Sequence, residues 1–235
     1  PGIKREIVAS GLVHPWALAF LPGDQGYLMT ERGGKLIHLD REGTTRRQIS
    51  GLPNDLASGG QGGLLDIVPG PDYTTTKRIY FSYSAAGASG KRNTQVARAK
   101  LDLKADRLKG VEVIFTARPK LRGGRHFGSR LLFSAKGYLY ITLGERGRKA
   151  QAQNPQNHLG TLVRLHPDGN VPSDNPFIDE PGKRNAIYSY GHRNIQGIAR
   201  QPLTEKIWLH EHGPRGGDEV NIAQKGANYG WPKVT

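Results

Sequence analysis

The stretch "HEHGPRGGDE", residues 210–219, concentrates side chains that can bind a metal ion. Side chains alternate along a strand, so His210 and His212 would share one face, as a zinc pair requires. The carboxylates of Asp218 and Glu219 would instead favour a hard cation. A charged, solvent-exposed turn is the third alternative, and these ten residues alone do not decide between the three.

The composition limits the partners that this chain can have. Its net charge of +14 attracts anions, but the basic residues are scattered and lack the aromatic pattern of RNA-binding modules, so we predict no nucleic-acid partner. Neither GxGxxG nor a phosphate-binding loop motif occurs. The absence of Cys excludes disulfides and thiolate metal sites. No apolar run approaches the roughly 18 residues of a membrane helix, so we predict no membrane span.

Four segments of the chain share one layout, in which a polar residue opens an apolar run that ends at a Pro or Ala turn. They are "HPWALAFLP" (14–22), "QGGLLDIVP" (61–69), "HFGSRLLFSA" (126–135) and "RNIQGIARQP" (193–202). A second β-like run follows each turn, as in "GYLMTE" and "KIWLHE", and further runs follow it. Short apolar and β-branched runs separated by Gly, Pro and Asp are typical of strands. Units of this kind predict the blades of an all-β propeller.

Equivalent positions of such a repeat lie at the same height around the central channel. We therefore expect His14, Gln61, His126 and the pair Arg193–Asn194 to converge at the channel mouth. Convergent polar groups in a concave site are the usual signature of a ligand pocket.

The same repeat places "HEHGPRGGDE" between the second and third strands of the fourth unit. A bend there would expose the carbonyl oxygens of Gly213 and Pro214, close to Asp218 and Glu219. Hard oxygen donors then outnumber the histidines, which favours calcium over zinc.

Several of these motifs, taken together and in order, resemble a known family. They are "HPWALAFLP", "GQGGLLDI", "HFGSRLLF", "GYLYITLGE", "VPSDNPF", "YGHRNIQG", "EHGPRGGDE" and "NYGWP". Nearly the whole chain resembles the soluble quinoprotein sugar dehydrogenases, the glucose/sorbosone dehydrogenase family, and in particular its aldose sugar dehydrogenases. The resemblance implies a six-bladed β-propeller with the quinone cofactor PQQ and calcium. Residues 1–235 would form a single propeller domain, incomplete at the C-terminus, that supplies about the first four blades.

The resemblance also implies roles for individual residues. His126 is similar to the general base that takes the proton of a sugar's anomeric hydroxyl, and Arg193 to a catalytic and cofactor-binding residue. The remaining implied cofactor contacts are Gln61, Asn194, Gly213 and Pro214, and the implied calcium ligands are Gly213, Pro214, Glu219 and Tyr229. Calcium would polarise the quinone that receives the hydride from C1.

The partners that the resemblance implies are an aldose substrate and an external electron acceptor. It also implies a periplasmic or secreted protein, present as a monomer or a homodimer.

One residue departs from the family pattern: Arg125 precedes the presumed base where Asp or Asn is usual. A cation there disfavours a second positive charge on the imidazole and would repel calcium or recruit an anion. The alternative function is therefore a non-catalytic propeller that binds a sugar or an anionic ligand. The alternative architecture is a four-bladed ring closed by "REIVAS", residues 5–10.

Overall fold

The computed structural model describes residues 2–234, and its regular structure is almost entirely antiparallel sheet. Helical structure in this part of the chain is limited to one turn of α-helix, α1 (Tyr73–Thr76), and two short 3₁₀ segments. The all-β prediction is confirmed. No helix among residues 2–234 has the length and apolar character needed to cross a membrane.

Within residues 2–234, fifteen strands form four sheets, and in each sheet neighbouring strands are consecutive in the chain. The first sheet contains β1 (Pro15–Phe20), β2 (Tyr27–Glu31), β3 (Lys35–Leu39) and β4 (Arg46–Ile49). The second contains β5 (Leu64–Pro69), β6 (Arg78–Ala86), β7 (Arg92–Asp102) and β8 (Arg107–Thr116). The third contains β9 (Leu131–Phe133), β10 (Leu139–Thr142), β11 (Thr161–Leu165) and β12 (Ile187–Tyr190). The fourth contains β13 (Ile195–Arg200), β14 (Ile207–Glu211) and β15 (Glu219–Ile222).

The sequence pattern of each strand reflects what its two faces touch. In β14, Ile207 and Leu209 are buried whereas Trp208 and His210 are exposed, because only one face of this strand meets another sheet. In β6 nearly every residue is buried. Phe81 belongs to the core shared with the first sheet, and Tyr80 to the core shared with the third. A strand with packed sheets on both sides has no polar face, which explains its continuous apolar run.

The four sheets stack as the blades of a propeller. Separate apolar cores join the first sheet to the second, the second to the third and the third to the fourth. The first strands are neighbours in the same order, since β1 contacts β5, β5 contacts β9 and β9 contacts β13. The first strand of each unit is therefore innermost, as the repeat predicted, and four blades are present.

The alternative of a ring closed by residues 5–10 is wrong. These residues form no strand, and the fourth sheet has three strands. Ala9 and Leu12 pack instead against Met29, Ile37 and Leu39 of the first blade. Ring closure would need residues 5–10 as a strand beside the fourth sheet, and they do not form one.

Candidate active site

Polar residues at the starts of the first strands come together at one end of the propeller. The side-chain oxygen of Gln61 accepts a hydrogen bond from the backbone N–H of His126 at 2.6 Å. The side-chain oxygen of Asn194 accepts one from the backbone N–H of Gly128 at 3.2 Å. β1, β5 and β13 each carry an irregularity in register close to their start, consistent with repeated geometry at this end. The predicted proximity of Gln61, His126 and Asn194 is thus observed.

The imidazole of His126 forms a close pair with a carboxylate. Its Nδ1 lies 2.6 Å from Oε1 of Glu145, and both side chains are nearly fully buried. The second oxygen of Glu145, Oε2, is buried and has no hydrogen-bond partner within residues 2–234. Nε2 of His126 likewise makes no hydrogen bond among the described residues. A carboxylate on Nδ1 fixes the tautomer that carries a proton there and leaves Nε2 free to accept one.

A buried arginine holds the loop that carries His126. The guanidinium of Arg146 donates to the carbonyl oxygens of Gly123 at 2.7 Å and of Arg92 and Arg125 at 3.0 Å. It also lies 3.6 Å from the centre of the Phe127 ring. Burial, together with the nearby charge of Arg92, lowers the pKa of Arg146 to about 10, so it remains a cation at neutral pH. His126 has φ 56°, and these contacts help to hold its backbone in that uncommon conformation.

A second buried His–Glu pair holds the backbone of Arg193 and Asn194. Nδ1 of His192 lies 2.7 Å from Oε1 of Glu211. The other oxygen of Glu211 accepts from the backbone N–H of Arg193 at 2.5 Å and of Asn194 at 3.2 Å. Burial opposes ionisation of Glu211, but the hydrogen bond and charge of His192 and the two backbone N–H groups lower its pKa overall. The Arg193 side chain is half-buried and donates to the carbonyl of His212 at 2.8 Å.

The repeat contains carboxylates that the sequence reasoning missed. Glu31, Glu145 and Glu211 stand at or just beyond the ends of the second strands of three blades. Glu31 accepts from the backbone N–H of Val13 at 2.9 Å, just as its two counterparts hold residues that precede a first strand. The signal was present, because the second runs of these units end in "MTE", "LGE" and "LHE".

A cavity of about 150 Å³ opens between these strand ends. Gln61 and Asn194 line it, together with Trp16, Arg32, Phe127, Gly128, Gln196 and His212. Neither Arg32 nor Arg193 pairs with a carboxylate within residues 2–234, so both guanidinium groups are available to an anion. His126 and Arg193 are not among the residues that line the cavity. His14, which was expected to converge here, is exposed and is not part of the cavity lining.

"HEHGPRGGDE" begins at the end of β14 and reaches the start of β15, so its predicted position between strands is confirmed. The backbone N–H of Gly213 donates to Oδ1 of Asp218 at 2.9 Å, and the carbonyl of Pro214 accepts from Gly217 at 3.0 Å. His210 lies against Gly197 and lines a different cavity from His212. The two histidines therefore do not form a zinc pair.

The residues expected to bind a further calcium are engaged within the protein. The hydroxyl of Tyr229 donates to the carbonyl of Ile222 at 2.6 Å and accepts from the backbone of Gln224 at 2.9 Å, while Glu219 accepts from Asn221 at 2.9 Å. The Tyr229 ring stacks on His192 with centres 4.3 Å apart. Among residues 2–234 no three metal-binding side chains are close enough to hold an ion. Calcium at Gly213, Pro214, Glu219 and Tyr229 therefore stays a prediction.

Arg125, which departs from the family pattern, is exposed, and its side chain lies against Gly147. The charged group in contact with the imidazole of His126 is Glu145, not this arginine. The sequence reasoning considered only the neighbour along the chain, whereas the folded loop directs Arg125 outwards and brings in a carboxylate from the end of β10.

The family model for glucose/sorbosone dehydrogenase matches residues 12–235. The chain belongs to the glucose/sorbosone dehydrogenase family. It is 49% identical to the aldose sugar dehydrogenase YliI of Escherichia coli, over 99% of this chain and 62% of that protein. It is 30% identical to quinoprotein glucose dehydrogenase B of Acinetobacter calcoaceticus, over 98% of this chain and 52% of that protein.

Solved structures of the glucose/sorbosone dehydrogenase family show the same arrangement. The apo form of the soluble aldose sugar dehydrogenase of Escherichia coli superposes with a TM-score of 0.93 at 49% identity, over 97% of this chain and 65% of that one. The PQQ-bound aldose sugar dehydrogenase of Streptomyces coelicolor gives a TM-score of 0.87 at 32% identity, over 98% and 66%. The chain thus spans between about half and two thirds of the length of these relatives.

Proposed function

We propose that this chain carries the catalytic end of a PQQ-dependent aldose sugar dehydrogenase, which oxidises the C1 hydroxyl of an aldose to the lactone. The observation on which this rests is the buried pair of His126 and Glu145, with Nδ1 occupied by the carboxylate and Nε2 unengaged. A histidine oriented in this way is suited to accept a proton from a substrate hydroxyl.

In this proposal the anomeric hydroxyl of the sugar donates its proton to Nε2 of His126 while C1 loses a hydride. The carboxylate of Glu145 stabilises the imidazolium that forms, because the two groups stay in contact in a buried site. Gln61 positions the ring by holding the backbone N–H of His126. Arg193 supplies a fixed positive charge and, with Asn194, contacts the cofactor.

The residues at the cavity fit an anionic planar cofactor such as PQQ. Of the lining residues, Arg32 lacks an acidic partner among the described residues, and Gln61, Asn194 and Gln196 offer amide groups. Trp16 adds an aromatic side chain to the lining. When bound, PQQ would supply the two-electron acceptor for the hydride.

A calcium ion close to the cofactor would be held by the backbone carbonyl oxygens of Gly213 and Pro214. Backbone oxygens on a bend suit calcium, although Pro214 already accepts one hydrogen bond. Calcium bound there would polarise the quinone carbonyl. Glu219 and Tyr229 remain the proposed ligands of a further calcium, with the hydroxyl of Tyr229 already engaged.

Family membership supports the remaining parts of the proposal. We propose that residues 1–235 form one propeller domain whose four blades correspond to the first four of a six-bladed ring. The protein would act on a small aldose in the periplasm or outside the cell, pass electrons to an external acceptor, and exist as a monomer or a homodimer.

Reconstitution with PQQ and calcium, followed by an assay of aldose-dependent dye reduction, tests this function. We expect PQQ uptake with turnover, and loss of turnover but not of PQQ uptake in His126→Gln. His166→Gln is the matched control, since His166 lies in the turn after β11, remote from the cavity. PQQ uptake without turnover would favour the alternative, a propeller that only binds a sugar or an anion. If the protein takes up no PQQ, both the proposed cofactor and the proposed enzymatic activity are contradicted.

A further inference from the structure

A second cavity, of about 360 Å³, lies between the third and fourth blades at the opposite ends of the strands. The candidate active site lies where the first strands begin. This cavity is bordered by the turns where β9 and β13 end, through Lys136 and Lys206. It is therefore physically separate from the site proposed for catalysis.

Arg164 is the central charged group of this cavity. Its side chain is only 7% exposed. Nε donates to the side-chain oxygen of Asn175 at 2.7 Å, and one terminal nitrogen donates to Asp174 at 2.6 Å. The guanidinium also faces the hydroxyl of Tyr140, and its other terminal nitrogen donates to no carboxylate or carbonyl oxygen within residues 2–234. A nearly buried guanidinium with unused donors beside a cavity is an anion-binding group, because its position is already fixed.

Aromatic side chains keep Arg164 in place. Its guanidinium carbon lies 4.8 Å from the centre of the Tyr138 ring and 5.2 Å from that of Tyr188. Both tyrosines also line the cavity, and the hydroxyl of Tyr138 makes no hydrogen bond among the described residues. These rings offer apolar surface and a hydroxyl group, a combination suited to a small hydroxylated ligand.

The charges around the cavity favour a monoanion. Three cations, Arg164, Lys136 and Lys206, face two acids, Asp174 and Glu205. Both acids already have partners, since Asp174 pairs with Arg164, and Glu205 pairs with an arginine outside the cavity. Neither lysine pairs with an acid in the part of the chain that the structure describes. Counted over the groups that line the cavity, three positive and two negative charges leave an excess of one positive charge, which one carboxylate would balance.

We propose that this cavity binds a small hydroxylated carboxylate, the chemical class of the sugar acids. The carboxylate takes the free donors of Arg164 and the two lysines, and ligand hydroxyls meet Tyr138 and the free oxygen of Asp174. Binding of such a ligand here does not depend on dehydrogenase activity.

Isothermal titration calorimetry with sodium gluconate tests the proposal, with glucose and inorganic phosphate as comparison probes. We expect one gluconate per chain. The double variant Lys136→Ala/Lys206→Ala should bind gluconate about tenfold more weakly, through loss of charged partners. Arg164→Lys, which keeps the charge but loses the planar fork, should also bind more weakly. The matched control is Lys100→Ala/Lys104→Ala, two exposed lysines at a separate cavity, and it should bind like the unaltered protein.

Three results would overturn the proposal. If gluconate does not bind, or binds equally well to the double variant and to its control, this cavity is not a gluconate site. Binding lost in His126→Gln but kept in the double variant would place gluconate at the candidate active site instead. If glucose or phosphate binds as tightly as gluconate, the cavity does not select a ligand with a single negative charge, and the proposal is wrong.

Discussion

The contact between Glu145 and His126 allows a quantitative prediction. Replacing Glu145 by Gln keeps the size of the side chain but removes the charge that faces Nδ1 at 2.6 Å. A hydrogen bond to a charged group contributes roughly 1.5–3 kcal/mol. If that contribution is realised when His126 gains a proton in the transition state, kcat should fall about 10- to 150-fold. KM and PQQ affinity should change little, because the Glu145 side chain is only 3% exposed and acts through His126.

Glu31→Gln is the matched control for this variant. Glu31 occupies the corresponding position at the end of β2 and is just as buried, but it holds Val13 and Arg46 rather than a histidine. Both variants should lower the melting temperature, whereas only Glu145→Gln should reduce the turnover of PQQ-loaded enzyme. Steady-state dye reduction and PQQ titration separate the two effects. Equal loss of turnover in both variants, or normal turnover in Glu145→Gln, would refute the role given to this carboxylate.

Three further predictions concern stability, packing and metal binding. Burial, with the charges of two nearby arginines, lowers the pKa of His158 to about 3, below the unfolded value of about 6.5. As the pH falls from about 6.5 towards 3, only the unfolded chain binds a proton at this histidine, which favours unfolding. The free energy of unfolding measured in urea should therefore fall by about 2 kcal/mol between pH 7 and pH 5, and this loss should be absent in His158→Gln. Gly144→Ala should lower both melting temperature and turnover, because its Cβ would collide with the carbonyl oxygen of His126; an unchanged melting temperature would show that this contact relaxes freely. Calcium removal by a chelator should lower thermal stability and PQQ affinity together, with calorimetric calcium affinity weakened by Glu219→Gln but not by His210→Ala; stoichiometric zinc binding that His210→Ala abolishes would contradict this.

The strands were predictable because their sequence runs are short, apolar and separated by turn residues. "RIYFSYS" and "KIWLHE" differ in pattern, yet both are strands: β6 is buried on both faces and β14 on one. Helical periodicity was weak everywhere, and the described chain has one four-residue helix. Residues 5–10 could have formed a strand, but in this range only Ala9 packs against the first blade, and Ile7 and Val8 are exposed.

Site residues whose position is determined by the repeat were predictable from the sequence. Those whose position depends on tertiary contacts were not. Gln61, His126 and Asn194 share a place in the repeat, so their convergence could be inferred; His14 has the same place but lies exposed outside the cavity. Glu145 also occupies a repeated position, at the end of a second strand, but the sequence pattern assigned no function to that position. Arg146 had none, because its contacts are to three backbone carbonyls that only the folded loop brings together.

The central claim is that His126 accepts the proton of the anomeric hydroxyl while C1 loses hydride, and C1-deuterated glucose tests it most directly. With PQQ- and calcium-loaded protein, kcat/KM for dye reduction should show a primary isotope effect, and the product should be the lactone. His126→Gln should abolish this turnover while PQQ binding persists. Turnover that is insensitive to C1 deuteration and unchanged in His126→Gln would contradict the claim.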